Sequence, residues 1–209
     1  RLIVRMGYTY NYNSAGGTLV NNTITSNSYS IRAGFESAGN ILYGVSKMIN
    51  MRKNKDGEYA ILGIPYAQYL KGDFDFAKNI IIDHRNSLAF HAGIGVAIPY
   101  GNAKVVPFEK RYFSGGANSV RGWSVRNLGP GSFAGDGNFM NQSGDIKLDA
   151  SIEYRTRLFW KFRGAAFIDA GNIWTIREYE NQPGGAFEFD KFYKQIAVAY
   201  GLGLRLDLD

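Results

Sequence analysis

The sequence has 209 residues and no cysteine, which removes a disulfide framework, a thiolate metal site and a cysteine nucleophile together. Aromatic residues make up 15% and charged residues 20%, too aromatic and too weakly charged for a disordered chain. The net charge of +6 is spread along the chain apart from Arg52, Lys53 and Lys55, a distribution that argues against nucleic acid as a partner.

Glycine, at 26 residues, is well above its usual share of roughly 7%. The mean hydropathy is −0.23, and no window approaches the ~18 consecutive apolar residues of a membrane helix. That excludes helical membrane proteins. It does not exclude a membrane β-barrel, whose alternating strands average to a polar-looking chain.

The first residues, from Arg1 to Tyr12, alternate with period two and read as a strand rather than a signal peptide. Leu2, Val4, Met6, Tyr8, Tyr10 and Tyr12 share one face. The stretch 13–27, rich in Asn, Ser, Thr and Gly, reads as a connection to a second strand near 28–36. Residues 38–50 change period: Ile41, Leu42, Val45, Met48 and Ile49 have helical spacing, predicting a short amphipathic helix that acts as a loop plug or lid. A long strand is expected over 59–82, bent at Gly63-Ile64-Pro65, then a polar turn at 83–86 and a return strand over 87–98.

A very long loop follows, from about 99 to 143; loops well beyond ~15 residues are usually functional or disordered. Further strands are expected over 145–158, 161–170 and about 196–209, with a short turn near 159–160 and a loop over 171–192. The count is about seven antiparallel strands. Short turns at one end and long loops at the other match an outer-membrane barrel, whose strands need ~9–11 residues. A soluble sandwich or lipocalin-like barrel would have shorter strands of ~5–6 residues.

The long loop carries Arg111-Tyr112-Phe113-Ser114-Gly115-Gly116-Ala117-Asn118-Ser119-Val120-Arg121-Gly122-Trp123. An aromatic, two glycines and Val-Arg-Gly before a second aromatic resemble the loop signature of the BamA/TamA-like outer-membrane assembly family (surface-antigen barrel domain), closest to its TamA-type members. The strand over 144–155 and the segment Phe167-Ile168-Asp169-Ala170-Gly171-Asn172-Ile173-Trp174 resemble the family's next two matching pieces, in order. Trp123 stands where many members have Phe or Tyr.

The resemblance implies a sixteen-stranded transmembrane β-barrel, of which residues 1–209 supply about strands eight to fourteen. Periplasmic domains, the first half of the barrel and its last two strands would lie outside this sequence. It also implies a long inward-folding loop whose arginine, here Arg121, meets acidic residues of the inner wall, here Glu153 and Asp169. The alternation independently puts both carboxylates on the polar face of adjacent hairpin strands. Gly115, Gly116 and Gly122 would let the loop turn sharply beside Val120 and Trp123. The polar-face glycines Gly93, Gly95, Gly201 and Gly203 could make room for the loop or ease strand curvature. Removing Arg121 is expected to leave two like charges facing each other.

The implied function is insertion, folding or translocation of client outer-membrane proteins in the bacterial outer membrane. Its partners would be lipid, client barrels and periplasmic or inner-membrane assembly proteins reached through further domains. A passive pore or secretion channel on the same barrel is the alternative. No cofactor or metal is expected. His84 and His91 lack a third ligand at metal spacing, Ser119 and Ser151 lack a histidine partner, and an arginine beside Glu153 and Asp169 disfavours a glycosidase pair. The reading is therefore not an enzyme.

Overall fold

The computed structural model describes residues 1–14 and 27–206. The expected connection at 13–27 lies largely outside the described residues, as does the end of the last strand, including Leu208. In chain order the elements are β1 (Arg5–Asn13), β2 (Ser28–Ala38), α1 (Asn40–Met48), β3 (Ala60–Ile61), β4 (Ile64–Pro65), β5 (Tyr69–Ile81), β6 (Asn86–Pro99), β7 (Ile146–Arg157), β8 (Phe162–Trp174) and β9 (Ala197–Leu206).

Among the described residues seven strands form one antiparallel sheet in the order β1-β2-β5-β6-β7-β8-β9. They run from 9 to 14 residues, long enough to span a bilayer when tilted. Period-two alternation sorts the two faces. On β9, Tyr200 and Leu202 are 84% and 87% exposed, whereas Ala199, next to Tyr200 and on the opposite face, is buried against the loop residues Val120 and Leu128. The sheet therefore turns its large apolar side chains outward and its small and charged ones toward the interior, the arrangement of a wall with lipid outside and a polar lumen inside. A compact apolar cluster of Ala38, Ala67, Tyr69, Ala97, Val106, Tyr112 and Ile173 gathers strand ends and the 100–145 loop.

Three boundaries differ from the sequence reading. The first strand begins at Arg5; Leu2 instead makes a single parallel bridge to Tyr66. Residues 59–82 are not one bent strand. Leu62 and Gly63, both at positive φ, close the small β3–β4 hairpin, and the sheet strand starts only at Tyr69. On either side of that hairpin the Asn102 side chain donates to the carbonyls of Tyr59 (2.9 Å) and Tyr66 (3.0 Å), serving backbone that a neighbouring strand would otherwise serve. Finally, β8 continues past Ala170 to Trp174, because Gly171–Trp174 stay in register with Asp149–Ile146.

Candidate functional site

Glu153 on β7 and Asp169 on β8 sit diagonally across one hairpin: Asp169 pairs with Ser151, and Glu153 with Phe167. Both carboxylates are buried on the lumen face. The 100–145 loop folds back over this face and delivers Arg121 between them. Arg121 donates from Nε to Asp169 Oδ2 (2.7 Å), from Nη2 to Asp169 Oδ1 (2.8 Å) and from Nη1 to Glu153 Oε2 (2.5 Å). Its backbone N–H adds a bond to Asp169 Oδ2 at 3.0 Å. The planar fork of the guanidinium is what allows one side chain to serve two carboxylates. Donating to Asp169, and then to Glu153, holds the Arg121 guanidinium pKa above its ordinary value, so it stays charged.

The guanidinium also lies 3.6 Å above the centroid of the Phe167 ring. That ring occupies the space left by Gly201 on β9: a Cβ there would sit 2.7 Å from its tip. The support runs from Gly201 through Phe167 to Arg121, and alternation alone had singled out only the glycine.

The loop reaches this position through Gly115, Gly116 and Gly122, at φ of +94°, +91° and +111°, values that side-chain-bearing residues rarely adopt. Gly116 N–H donates to the Trp123 carbonyl at 2.8 Å and closes the turn that presents Arg121. Val120 is fully buried with Leu128 and Ala199, and Trp123 packs against that cluster.

Glu153 is more heavily paired than expected. Its Oε1 also accepts from Arg155 Nε (2.8 Å) and Arg205 Nη2 (2.7 Å). Removing Arg121 would therefore leave Asp169 stripped of its partner and Glu153 still neutralised, not two bare carboxylates. Arg155 and Arg205 both fall on the polar face by alternation, so the signal for them was present.

Lys110 and the first two residues of the loop motif, Arg111 and Tyr112, are anchored as well. Lys110 Nζ lies 3.0 Å from Glu36 Oε1, and Glu36 also accepts from Arg5 and the Tyr69 hydroxyl. Arg111 Nε donates to the buried Asp145 (3.1 Å). Tyr112 donates its hydroxyl to Asp73 Oδ1 (2.7 Å), with its ring on Gly95. Sequence reasoning missed these three anchors because nothing local says where a loop residue lands.

The polar-face glycines divide. Gly95 and Gly201 make room for Tyr112 and Phe167, and Gly93 faces the carboxylates of Asp75 and Asp149, whereas Gly203 has only Ala165 within reach, at 3.8 Å. His91 lies between Asp75 (3.6 Å) and Asp149 (3.4 Å), and His84 is in the exposed 82–85 turn. Ser119 meets Ser114 at 3.1 Å. Among the described residues no group of three or more His, Cys, Asp or Glu is placed to hold a metal ion.

Fold and site together define a membrane β-barrel wall with an arginine-bearing loop folded into its lumen. Residues 57–208 match the Omp85 superfamily domain, and the chain belongs to that superfamily; its place is the bacterial outer membrane. The outer membrane protein assembly factor BamA of Neisseria meningitidis serogroup B is 30% identical over 102 residues, 44% of this chain and 12% of that protein. The human sorting and assembly machinery component 50 homolog is 30% identical over 149 residues, 67% of this chain and 30% of that protein. The chain thus spans less than a third of either relative. The crystal structure of BamA from Haemophilus ducreyi lacking POTRA domains 1-3 is similar with a TM-score of 0.52 at 17% identity, over 98% of this chain and 48% of that one, a likeness of fold.

Proposed function

We propose that this chain is the C-terminal part of the barrel of an outer-membrane protein assembly factor, about strands eight to fourteen of sixteen, which helps insert and fold client β-barrel proteins. The observation that carries the reading is the loop seated in the lumen with Arg121 on Asp169 and Glu153, in a chain of the Omp85 superfamily. The relatives named for outer-membrane protein assembly and for sorting and assembly point the same way. The work is non-enzymatic. Client strands would pair with an exposed strand edge of the whole barrel, as in β-augmentation. The loop's part is mechanical: three donors of one guanidinium bridge adjacent strands and keep the wall in one shape while the barrel opens elsewhere.

The test is a charge swap in the full-length protein. Arg121→Glu should loosen the barrel in heat-modifiable gel mobility and slow assembly of client barrels in cells depleted of the wild-type protein. Asp169→Arg added to it should restore part of both. Unchanged client assembly with Arg121→Glu, alongside steady ion conductance in planar bilayers, would return the reading to a passive pore or secretion channel.

A further inference from the structure

Helix α1 is packed inside out. Its inward side carries Leu42, Tyr43 and Ser46; Ser46 is almost wholly buried and accepts a hydrogen bond from the Tyr66 hydroxyl at 3.2 Å. Its first residue, Asn40, accepts from the Tyr100 hydroxyl (2.6 Å) and the Gln68 amide (3.0 Å). Polar groups therefore fasten the helix to the 66–68 segment ahead of β5 and to the start of the long loop. The side left open is apolar: Ile41, Val45, Met48 and Ile49, spaced i, i+4, i+7 and i+8, are 59%, 46%, 81% and 60% exposed. A helix facing water carries the opposite pattern.

This open side continues a surface already assigned to lipid. Ile41 shares one groove with Val4, Met6 and Tyr8 of the first strand region and Phe35 of β2, all on the outward face of the wall. The helix sits at the end of the barrel bearing the long loops, which in outer-membrane barrels is the cell exterior. Directly after it come Arg52, Lys53 and Lys55, the sequence's one local cationic cluster, all exposed; Asp56, exposed beside them, offsets one of these charges, and the nearby Glu58 is buried against Arg1 at 2.8 Å.

We propose that α1 is an interfacial anchor: its Ile41–Val45–Met48–Ile49 face dips into the headgroup–acyl boundary of the outer leaflet, and the Arg52–Lys55 turn meets lipid phosphates. The occupant of the open face is lipid, because the face is continuous with the lipid-facing wall and is bordered by positive charge, the composition of a helix lying in a membrane surface. This goes beyond the assembly reading and rests only on the barrel being in the membrane.

Site-directed spin labelling tests it. Val45→Cys, Met48→Cys and Lys55→Cys, each in the full-length protein with any other cysteine replaced, are labelled with a nitroxide. The protein is then placed in nanodiscs of phosphatidylcholine and phosphatidylglycerol, with native gel mobility as the check on folding. The expected result is loss of collisions with water-soluble nickel chelate at Val45 and Met48, with oxygen collisions retained there, and nickel collisions retained at Lys55. Nickel collisions at Val45 and Met48 would place the helix in water and overturn the proposal. Loss of both nickel and oxygen collisions there would mean a protein covers the face, and would overturn it equally. Loss of nickel collisions at Lys55 would overturn the orientation.

Discussion

Tyr112 and Gly95 are packed so closely that a methyl group on Gly95 would lie 2.5 Å from the Tyr112 ring. One is a loop residue and the other a wall residue on β6, and between them there is no room for a side chain. The contact makes the loop's seat a property of the wall.

Gly95→Ala is therefore expected to push Tyr112 off Asp73 and to lower barrel stability by about 1–3 kcal/mol, the usual cost of overpacking. Gly203→Ala, with its nearest neighbour at 3.8 Å, should change little. Thermal midpoints of heat-modifiable mobility compare the two. Equal midpoints for both variants would contradict the loop placement.

The Arg121 contacts are unequal. Asp169 accepts from the backbone N–H, Nε and Nη2 of Arg121, whereas Glu153 takes one bond from it and keeps Arg155 and Arg205. Arg121→Ala should cost about 3–5 kcal/mol, as breaking a buried pair does. Arg121→Lys should recover little, since an ammonium cannot bridge both carboxylates in a fixed fork. A double-mutant cycle should give a larger coupling for Arg121 with Asp169 than with Glu153. The reverse order would refute this geometry.

Asp145 joins two loops. Fully buried, it accepts from Arg111 Nε (3.1 Å) in one loop and from the backbone N–H of Ile176 (3.1 Å) in the next, and Gln182 of that second loop donates to the Ser143 carbonyl at 3.0 Å. Asp145→Ala should leave Arg111 with only the long contact to Gln182 (3.4 Å) and the Tyr179 ring, and loosen both loops together. Cleavage by protease added outside intact cells should rise in both the 100–145 and 175–196 segments; cleavage confined to one would argue that they are held separately.

The turn between β5 and β6 is expected to weaken in acid. Asp83 accepts from the Asn86 side chain (2.8 Å) and from the backbone N–H groups of Arg85 (2.7 Å) and Asn86 (3.0 Å), and these bonds, the Asn86 side chain first, hold its carboxyl below the ordinary range. A lowered carboxyl stabilises the turn above the ordinary aspartate value of ~3.9, and that contribution is lost as pH falls through the lowered value. Amide exchange at Arg85 and Asn86 should be protected at neutral pH and lose protection in acid. Asp83→Asn should remove the acid step; an unchanged profile would assign it to another group.

Much of the architecture was legible because alternation is local. Each strand residue's own neighbours say which way it points, so Ile152 and Tyr154 faced lipid and Glu153 faced the lumen without knowledge of the rest. The same alternation marked Asp169 and Arg205, and the 3.6-residue spacing marked α1. Leu62 shows where local reasoning failed: an apolar residue in an apolar run, it takes a positive φ and closes the β3–β4 hairpin instead of continuing a strand.

The sequence by itself determined the seven-stranded wall, its two faces and the acids on the inner one, since period two is a property of neighbouring residues along one chain. Only the tertiary structure decided that Lys110, Arg111 and Tyr112 land on Glu36, Asp145 and Asp73, that Glu153 gathers three arginines, and that Gly95 is spare volume for a tyrosine. The ion pairs and hydrogen bonds among them, the Arg155 pair apart, join residues 32 to 74 positions apart. Which of many lumen charges a loop side chain meets is set by where the loop comes to rest, and no periodicity in the sequence carries that information.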